Sequence, residues 1–334
     1  MSDPAVNPRP GAPTPGQPAV SIIVVSYNTR EMTLDCLRSV FAETRTPFEL
    51  IVVDNASPDG SAEAIAAAFP DIRLIASREN LGFAPANNMA VREARADLVL
   101  LLNPDTVVLD GAIDRLIAFA ARRPAAGIWG GRTLFGDRTL NKMSVFGDVT
   151  LWGLFCRATG LAVMFDDSPI FNSDDLGGWK RDDERDVDVV QGSFFLIRRE
   201  LWDRLGGFDL SYVMYGEEAD LCRRARKIGA QPRMTPEATI IHYGGASSDR
   251  RAKKDIMVLT AKATMIRRHF PAWQQGPALF LLGFWPWSRM VSGEIIAKAT
   301  GKRRFADAAA RWREVWQARG RWRAGYPLGP VPGA

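Results

Sequence analysis

Runs of consecutive aliphatic residues, rather than alternating ones, recur in the first third of the chain. The clearest covers residues 98–102, where five aliphatic side chains follow one another. Because successive side chains of a strand point to opposite faces, this pattern indicates a strand buried on both faces, as in a parallel sheet. Pro104 cannot donate to a sheet ladder, so the strand is predicted to end before it and to leave Asp105 at its carboxyl end. A simple Asn103-Pro104-Asp105 turn and a ligand-binding edge are both compatible with this stretch alone.

Strand-like runs alternate with helical patterns throughout the N-terminal half. Further strands are predicted over residues 20–27, 48–53 and 72–76. Apolar spacing typical of helices follows the first two, with Thr29 and Ser61 as the predicted helix caps. We therefore expect an α/β fold in which a Rossmann-like, mostly parallel sheet carries helices on both faces.

Polar side chains follow all four predicted strands, namely Asn28, Asp54, Asn80 and Asp105. Since the carboxyl ends of parallel strands share one edge of a sheet, a pocket is expected there, although polar turns after strands are common. Asp54 is suited to contact a base or ribose, and Asp105 to hold a metal on phosphates. No G-x-G-x-x-G follows the first strand and no G-x-x-x-x-G-K-[ST] occurs, which disfavours dinucleotide and P-loop sites.

The second half of the chain carries further titratable residues near predicted element ends. The predicted elements are a strand over residues 189–197, helices over 199–205 and 217–228, and a short strand over 238–241. Acidic residues in the first turn of a helix stabilise its dipole, but Glu217, Glu218 or Asp220 is equally suited to act as a general base. His242 is either structural or a contact to a metal or phosphate.

Composition places the chain among soluble globular proteins, with 334 residues, 46% hydrophobic and 24% charged, enough for a large core. Its three cysteines, Cys36, Cys156 and Cys222, are far apart, which predicts no disulfide framework and a reducing, cytosolic setting. Residues 1–19 contain six prolines and no apolar run, so we expect a disordered tail rather than a signal peptide. No apolar run reaches the roughly 18 residues of a spanning helix.

Charge is distributed unevenly along the chain. Residues 250–334 carry 17 Lys/Arg and 4 Asp/Glu, whereas the other 249 residues carry 26 and 34. The basic region also holds an apolar run over 278–287 with Trp285 and Trp287, which favours an element lying in the interface of an anionic membrane. A helical subdomain packing its aromatics on the body, or a dimer contact, is the alternative. Nucleic-acid binding is disfavoured because no matching module is present.

Several segments together resemble family 2 inverting glycosyltransferases of the GT-A fold. They are residues 24–28 (VVSYN), 52–61 (VVDNASPDGS), 80–88 (NLGFAPANN) and 102–105 (LNPD). Residues 206–209 (GGFD), 215–222 (YGEEADLC) and 242–247 (HYGGAS) are similar to a bacterial rhamnosyltransferase-like subgroup. The resemblance covers residues 20–247, in the family's order, and no single segment carries it.

The resemblance implies a nucleotide-sugar donor, dTDP-rhamnose or a UDP-sugar, bound with Mg²⁺ or Mn²⁺. The residues that it places around the donor are Ser26, Asn28, Asp54, Asn80, Asn87, Asn103 and Asp105. It assigns the metal to Asp105, with His242 near the same metal or the diphosphate. Asn103 stands at the first position of the family's D-x-D motif, so one carboxylate of that motif is missing.

The resemblance also implies a single displacement in which a base removes the proton of the acceptor hydroxyl. The family's base is the Asp of a Glu-Asp pair, and here the pair is Glu217-Glu218. Position matching favours Glu218, leaves Glu217 open and makes Asp220 a weaker third candidate. The Q-x-x-R-W motif of processive members occurs only with altered spacing, which favours a non-processive enzyme.

We accordingly expect a peripheral enzyme at the inner face of the plasma membrane, with a GT-A domain over residues 20–248 and a basic helical region over 249–330. Its expected reaction moves L-rhamnose from dTDP-rhamnose to a polyprenyl-diphosphate-linked saccharide in cell-envelope polysaccharide synthesis. The expected partners are this acceptor, an anionic membrane surface and a second copy in a homodimer, but no nucleic acid. Alternatives are a UDP-hexose or galactofuranose donor, and a non-catalytic sugar-nucleotide-binding scaffold.

Overall fold

The computed structural model describes residues 16–244 and 251–333. Most of the predicted Pro-rich tail, residues 1–15, lies outside this part of the chain, as does the end of the HYGGAS segment from residue 245. The strands are β1 (Val20–Ser26), β2 (Phe48–Asp54), β3 (Arg73–Ala76), β4 (Leu98–Leu102), β5 (Thr106–Val108), β6 (Ile128–Leu134), β7 (Val145–Phe146), β8 (Arg185–Asp186), β9 (Val189–Val190), β10 (Phe194–Arg198) and β11 (Arg233–His242).

Twelve α-helices lie within the described residues. They are α1 (Arg30–Glu43), α2 (Ser61–Ala68), α3 (Phe83–Val91), α4 (Ala112–Arg122), α5 (Leu151–Thr159), α6 (Leu161–Met164), α7 (Arg199–Leu205), α8 (Glu217–Lys227), α9 (Arg251–His269), α10 (Ala272–Thr300), α11 (Arg303–Gln317) and α12 (Arg319–Trp322).

The central sheet has nine strands in the order β3-β2-β1-β4-β10-β6-β11-β5, with β8 paired to β11. Strands β1 to β4, β6 and β11 run in one direction, whereas β10, β5 and β8 run antiparallel to their neighbours. The predicted mostly parallel sheet is therefore confirmed. A separate two-stranded ribbon pairs β7 with β9.

Strand β4 is buried on both faces, as its five aliphatic residues predict. Val99 and Leu101 belong to the core shared with α3, α7 and α8, whereas Leu100 and Leu102 belong to the core shared with α1 and α4. Replacing such a fully buried leucine by alanine costs about 2–5 kcal/mol. Packing on both sides thus fixes the register that delivers Asn103 and Asp105 to the edge of the sheet.

The strand predicted over residues 189–197 is wrong as one element. Val189–Val190 pairs with β7 in the small ribbon, and Phe194–Arg198 pairs with β4 and β6 in the main sheet. Between them, the Gln191 amide donates to the Ser144 carbonyl (3.0 Å), while the Ser193 carbonyl accepts from the Asn103 amide (3.1 Å). The break exists because the chain passes from the ribbon into the main sheet at this point.

The predicted cap of α2 is also wrong, because Ser61 is the first residue of that helix. Asp59 supplies the capping carboxylate instead, since its Oδ1 accepts from the Ser61 amide (3.1 Å). Its Oδ2 accepts from the Arg30 amide (3.0 Å) at the start of α1. Thr29 does precede α1, but its hydroxyl contacts Thr33 (3.2 Å) rather than a backbone amide.

The predicted basic helical region is confirmed as α9 to α12. Its own core contains Leu259, Ile266, Leu282, Val315 and Trp322, and α10 packs against α5 of the body. Helix α10 continues through two internal prolines. Within the described ranges, the structure contains no helix with the length and apolar character needed to cross a membrane.

Candidate active site

The carboxyl ends of β1 and β2 lie side by side, with Ser26 opposite Asp54. The Asp54 side chain is buried, and its Oδ2 accepts a hydrogen bond from the Ser57 amide (3.0 Å). Its Oδ1 has no partner among the described residues. Ser57 Oγ in turn accepts from the Asn28 amide (2.9 Å). This loop therefore holds one carboxylate oxygen unpaired, as an acceptor for an N–H or O–H group.

Three other residues predicted on the donor side already use their side chains within the protein. Ser26 Oγ lies 2.9 Å from Thr33 Oγ1 inside the fold. Asn80 Oδ1 accepts from the Gly82 amide (2.9 Å), and Asn87 Nδ2 donates to the Phe83 carbonyl (2.9 Å). These contacts shape the loop after β3 and the start of α3, so only the remaining polar atoms of the two asparagines are open to a ligand.

Asn55 connects the loops after β2 and β3, although the sequence analysis did not single it out. Its Nδ2 donates to the Gly82 carbonyl (3.2 Å), and its Oδ1 accepts from the Leu81 amide (3.1 Å). The side chain is buried. Its position directly after Asp54 in the VVDNAS segment is the sequence feature that could have indicated a role at the sheet edge. Asn55 holds two edge loops at a fixed separation.

The ends of β4 and β11 bring Asn103, Asp105 and His242 together. Pairing of β5 with β11 places His242 opposite Thr106, one residue after Asp105. His242 Nε2 lies 3.2 Å from Asp105 Oδ1 and 3.5 Å from Asn103 Nδ2. The Gly244 amide donates to Asp105 Oδ2 (3.1 Å). The structure thus brings His242 next to Asn103 and Asp105, which precede it in the sequence by 139 and 137 positions.

Electrostatics keep Asp105 ionised in this cluster. Burial acts to raise the pKa of Asp105. The hydrogen bond and positive charge of His242, together with the hydrogen bond from the Gly244 amide, outweigh burial and lower this pKa below its usual value. His242 Nδ1 is buried with no partner among the described residues. One carboxylate, one imidazole and one amide suit a divalent cation that completes its shell with water and substrate phosphates. The same described residues contain no group of three His, Cys, Asp or Glu side chains arranged for a metal.

Glu217 and Glu218 form the first turn of α8, immediately after Gly216 at φ +89°. Burial raises the pKa of both carboxyl groups, and the Glu218 charge adds to the rise for Glu217. The Oε2 atom of each has no partner among the described residues. Carboxyl groups held with raised pKa and free oxygens are equipped to take a proton from a substrate hydroxyl.

Asp220, the third acidic residue of this turn, has a different environment. Its carboxylate is buried, with Oδ2 accepting from Arg224 Nε (2.7 Å) and Oδ1 lying 2.6 Å from His269 Nε2. Burial acts to raise the pKa of Asp220, but His269 and Arg224 lower it below its usual value. With both oxygens occupied, Asp220 fixes α8 to α9 rather than facing a substrate.

Helix α9 and the C-terminal segment form a wall beside the glutamate pair, which the sequence analysis did not foresee. A Cβ built on Gly216 would lie 3.2 Å from the Ala261 Cβ of α9, so the space is tight, and the backbone angle favours glycine. Lys254 Nζ lies 5.9 Å from the centre of the Tyr215 ring. The Tyr326 hydroxyl donates to the Met214 carbonyl (3.0 Å).

Comparison with known proteins decides the family. The sequence profile described as Glycosyl transferase family 2 matches residues 21–206, more than half of the chain. The chain belongs to this family. It is therefore a glycosyltransferase.

Among its relatives is the N-acetylglucosaminyl-diphospho-decaprenol L-rhamnosyltransferase of Mycobacterium tuberculosis, which is 27% identical over 69% of this chain and 77% of that protein. The O-antigen biosynthesis protein RfbC of Myxococcus xanthus is 29% identical over 70% of this chain but only 18% of its own length. The name of the mycobacterial relative agrees with the resemblance to rhamnosyltransferases.

Among solved structures, the mannosyltransferase PcManGT from Pyrobaculum calidifontis, in complex with GDP-Man and Mn²⁺, superposes with a TM-score of 0.57. It shares 18% sequence identity, with 94% of this chain and 91% of that chain covered. At this identity the likeness concerns the fold alone, and it supports the GT-A fold that the family resemblance implies.

Proposed function

We propose that the enzyme transfers one sugar from a nucleoside-diphosphate sugar to a hydroxyl of a lipid-linked saccharide, with inversion at the anomeric carbon. The observation that carries the proposal is the buried Glu217–Glu218 pair with raised pKa values and unpaired oxygens. The turn over residues 191–193 connects this pair to the sheet edge, because Ser193 bonds to Asn103 and β9 packs on α8. A single displacement needs a base and a stabilised leaving group, and no covalent nucleophile.

On the donor side, the free Oδ1 of Asp54 would accept from the base or ribose. Asn28, Asn80 and Asn87 would border the nucleotide from the neighbouring loops. Asp105 and His242, with Asn103 beside them, would hold Mg²⁺ or Mn²⁺ on the diphosphate. When bound, the ion would neutralise charge that develops on the leaving nucleoside diphosphate.

Glu218 is the proposed base, with Glu217 as the alternative. Glu218 occupies the position of the family's base and is partly exposed as a residue, whereas Glu217 is buried; the Oε2 atoms of both are buried. The raised pKa brings the carboxylate closer in basicity to the operating pH and improves proton transfer.

For the substrates, L-rhamnose from dTDP-rhamnose is the proposed donor sugar, because the mycobacterial relative is named as an L-rhamnosyltransferase. The same name supports a polyprenyl-diphosphate-linked acceptor in cell-envelope polysaccharide synthesis. A UDP-hexose or galactofuranose donor would use the same chemistry and is the alternative. The non-catalytic scaffold is weakened by family membership, although Asn103 in the D-x-D position still favours it.

The proposed organisation is a catalytic domain over residues 20–248 and a helical region over 249–330 that binds the inner face of the membrane. Exposed apolar side chains on α5, α6 and their following turn, namely Trp152, Val163, Met164, Phe165 and Ile170, support such an interface. They lie on elements that pack against or adjoin α10, which exposes Trp273 and Phe280. Exposed apolar side chains that are grouped on neighbouring elements favour a membrane or protein contact, including a homodimer contact.

The test is a panel of nucleotide sugars with Mg²⁺ or Mn²⁺, in which release of the nucleoside diphosphate is measured with and without a membrane lipid extract. We expect one donor to turn over and the lipid extract to accelerate it. Silence with every donor in both metals would refute transfer and leave the scaffold function. The anomeric configuration of the product, read by NMR, tests inversion.

A further inference from the structure

The C-terminal helices line an open, arginine-bordered cavity that the chemistry described above does not use. Its volume is about 470 Å³, and its lining residues are Arg267, Leu279, Arg319, Gly320, Arg323 and Ala324. The three arginines are exposed. Among the residues that the structure describes, none of the three forms an ion pair with a carboxylate, and no acidic side chain lines the cavity. Arg267 and Arg319 each donate to a backbone carbonyl, of Arg323 (3.3 Å) and Trp316 (3.2 Å) respectively. Three arginines without a carboxylate partner at the border of a largely apolar space favour a ligand that is both anionic and apolar.

An apolar groove of about 270 Å³ adjoins this cavity and shares Arg323 with it. Its other walls are Phe280, Gly283, Phe284 and Trp287 of α10 and Trp316 of α11. The rings of Phe280, Phe284 and Trp287 follow one another at centroid distances of 6.1 and 5.1 Å. Phe280 is 64% exposed. Burial of apolar surface is favourable by about 25 cal/mol per Å². Covering these exposed aromatic rings with an apolar chain would therefore stabilise the complex.

Short chain segments connect the cavity to the segment that precedes the proposed base. Three residues after Arg323, the Tyr326 hydroxyl donates to the Met214 carbonyl (3.0 Å), and Met214 lies three residues before Glu217. The Tyr326 amide donates to Thr264 Oγ1 (2.7 Å), three residues before Arg267. The arginines are thus connected by short chain segments to the turn that carries the glutamates. This favours a ligand that must also reach the active site over a bulk membrane lipid.

We propose that the arginine cavity binds the diphosphate of the lipid-linked acceptor and that the aromatic groove holds the first units of its lipid chain. This inference rests on the proposed function. Arginine forks match phosphate oxygens in paired hydrogen bonds, and they keep their charge at every physiological pH. The adjoining groove supplies the apolar half that an isoprenoid chain needs. The saccharide would extend from the diphosphate toward the glutamate pair.

The test uses the full chain and two kinds of vesicle with equal negative charge. One contains phosphatidylcholine with a small fraction of a polyprenyl diphosphate, and the other contains phosphatidylcholine with phosphatidylglycerol. We expect Arg319→Gln/Arg323→Gln to weaken cosedimentation with the polyprenyl diphosphate vesicles about tenfold or more, equivalent to about 1.4 kcal/mol, with little change on phosphatidylglycerol. Arg303→Gln/Arg304→Gln is the matched control, because it removes the same charge from exposed positions on α11.

Equal losses on the two vesicle types would assign the cavity to general anionic lipid and overturn the proposal, as would no loss on either. Thermal unfolding of each variant checks that the helices remain folded. Nucleoside-diphosphate release from the donor in the presence of the lipid extract separates this inference from the proposed function. Failure of that release in the unmodified enzyme refutes the transferase chemistry, whereas intact release with an unchanged lipid preference refutes only the lipid site.

Discussion

At the scale of single residues, the glutamate pair carries the sharpest prediction. Glu218→Gln should lower kcat by about 10²–10⁴-fold with donor affinity unchanged, because it removes the proton acceptor and no donor contact. Glu217→Gln should keep most of the rate. A base with a raised pKa is active when ionised, so kcat should fall as pH drops through that raised value. The Glu217→Gln variant should leave this acid limb in place, because burial rather than a Glu217 charge raises the pKa of Glu218.

The measurement is kcat against pH for the three proteins, with donor affinity from calorimetry. Equal rate losses in both single variants would mean that the two carboxyl groups act as one unit. A full loss in Glu217→Gln alone would exchange their roles.

Asp105 carries the second residue-scale prediction. Asp105→Asn keeps the size of the side chain but removes its charge, so divalent-metal-dependent donor turnover should fall by at least about 10²-fold. The affinity for Mn²⁺, measured by quenching of the enzyme's fluorescence, should fall in parallel. Asp97→Asn is the control, since Asp97 lies at the opposite, entry end of β4 and its side chain is exposed. Unchanged Mn²⁺ affinity in Asp105→Asn would remove Asp105 from the metal site.

At the scale of elements, the contact between α8 and α9 depends on a buried ionic group. Asp220→Asn should lower the free energy of unfolding by about 3–5 kcal/mol at pH 7, because the variant leaves Arg224 and His269 without their carboxylate. Because the folded-state pKa of Asp220 is depressed, this stabilisation exists above the unfolded-state pKa and is lost as pH falls through the folded value. The difference between variant and parent should therefore shrink in acid.

Urea denaturation at pH 7 and at successively lower pH measures this difference. Asp307→Asn is the control, since Asp307 and Arg303 form an exposed pair at 3.9 Å whose loss should cost at most about 1 kcal/mol. A difference between Asp220→Asn and its parent that stays constant with pH would contradict the linkage.

Elements with local signals could be predicted, and elements defined by distant contacts could not. Strands β1, β2 and β4 contain consecutive aliphatic residues, and this local pattern indicates burial on both faces. Strand β6 contains Gly130 and Gly131, which weaken any strand pattern. A Cβ on Gly131 would lie 2.2 Å from the Ala238 carbonyl oxygen, and one on Gly130 would lie 2.5 Å from Val190 Cγ1. Those neighbours come from β9 and β11, so no local window reveals why glycine is needed.

The site shows the same division. Asp54 and Asp105 follow their strands directly, so they could be predicted at the sheet edge. The contact between Asp105 and His242 depends on pairing of β5 with β11. The role of Asp220 depends on His269, which is 49 residues away on α9. Such roles follow only from tertiary packing. The sequence pattern alone kept Asp220 as a candidate for the general base.

At the scale of the whole molecule, the basic C-terminal region is part of the folded body as well as a proposed membrane contact. Ala261 and Met265 of α9 belong to the same core as β4 and α8. Arg268 donates to Asp209 Oδ2 (2.7 Å) and Ser211 Oγ (2.9 Å), at the turn before the glutamate pair. A purely peripheral anchor would not supply core residues and buried ion pairs to the catalytic body.

Removing residues 251–334 should therefore abolish donor turnover and cooperative unfolding, rather than only membrane binding. The truncated chain would expose the core face of α8, leave Asp209 without Arg268 and leave Asp220 without His269, at a cost of several kcal/mol for each broken buried pair. Circular dichroism during thermal unfolding, together with nucleoside-diphosphate release, measures both effects. Arg303→Gln/Arg304→Gln serves as the control, because it removes two exposed charges of the same region and leaves α9 in place. A truncated chain that unfolds cooperatively and turns over donor at the parent rate would show that the region is only an anchor.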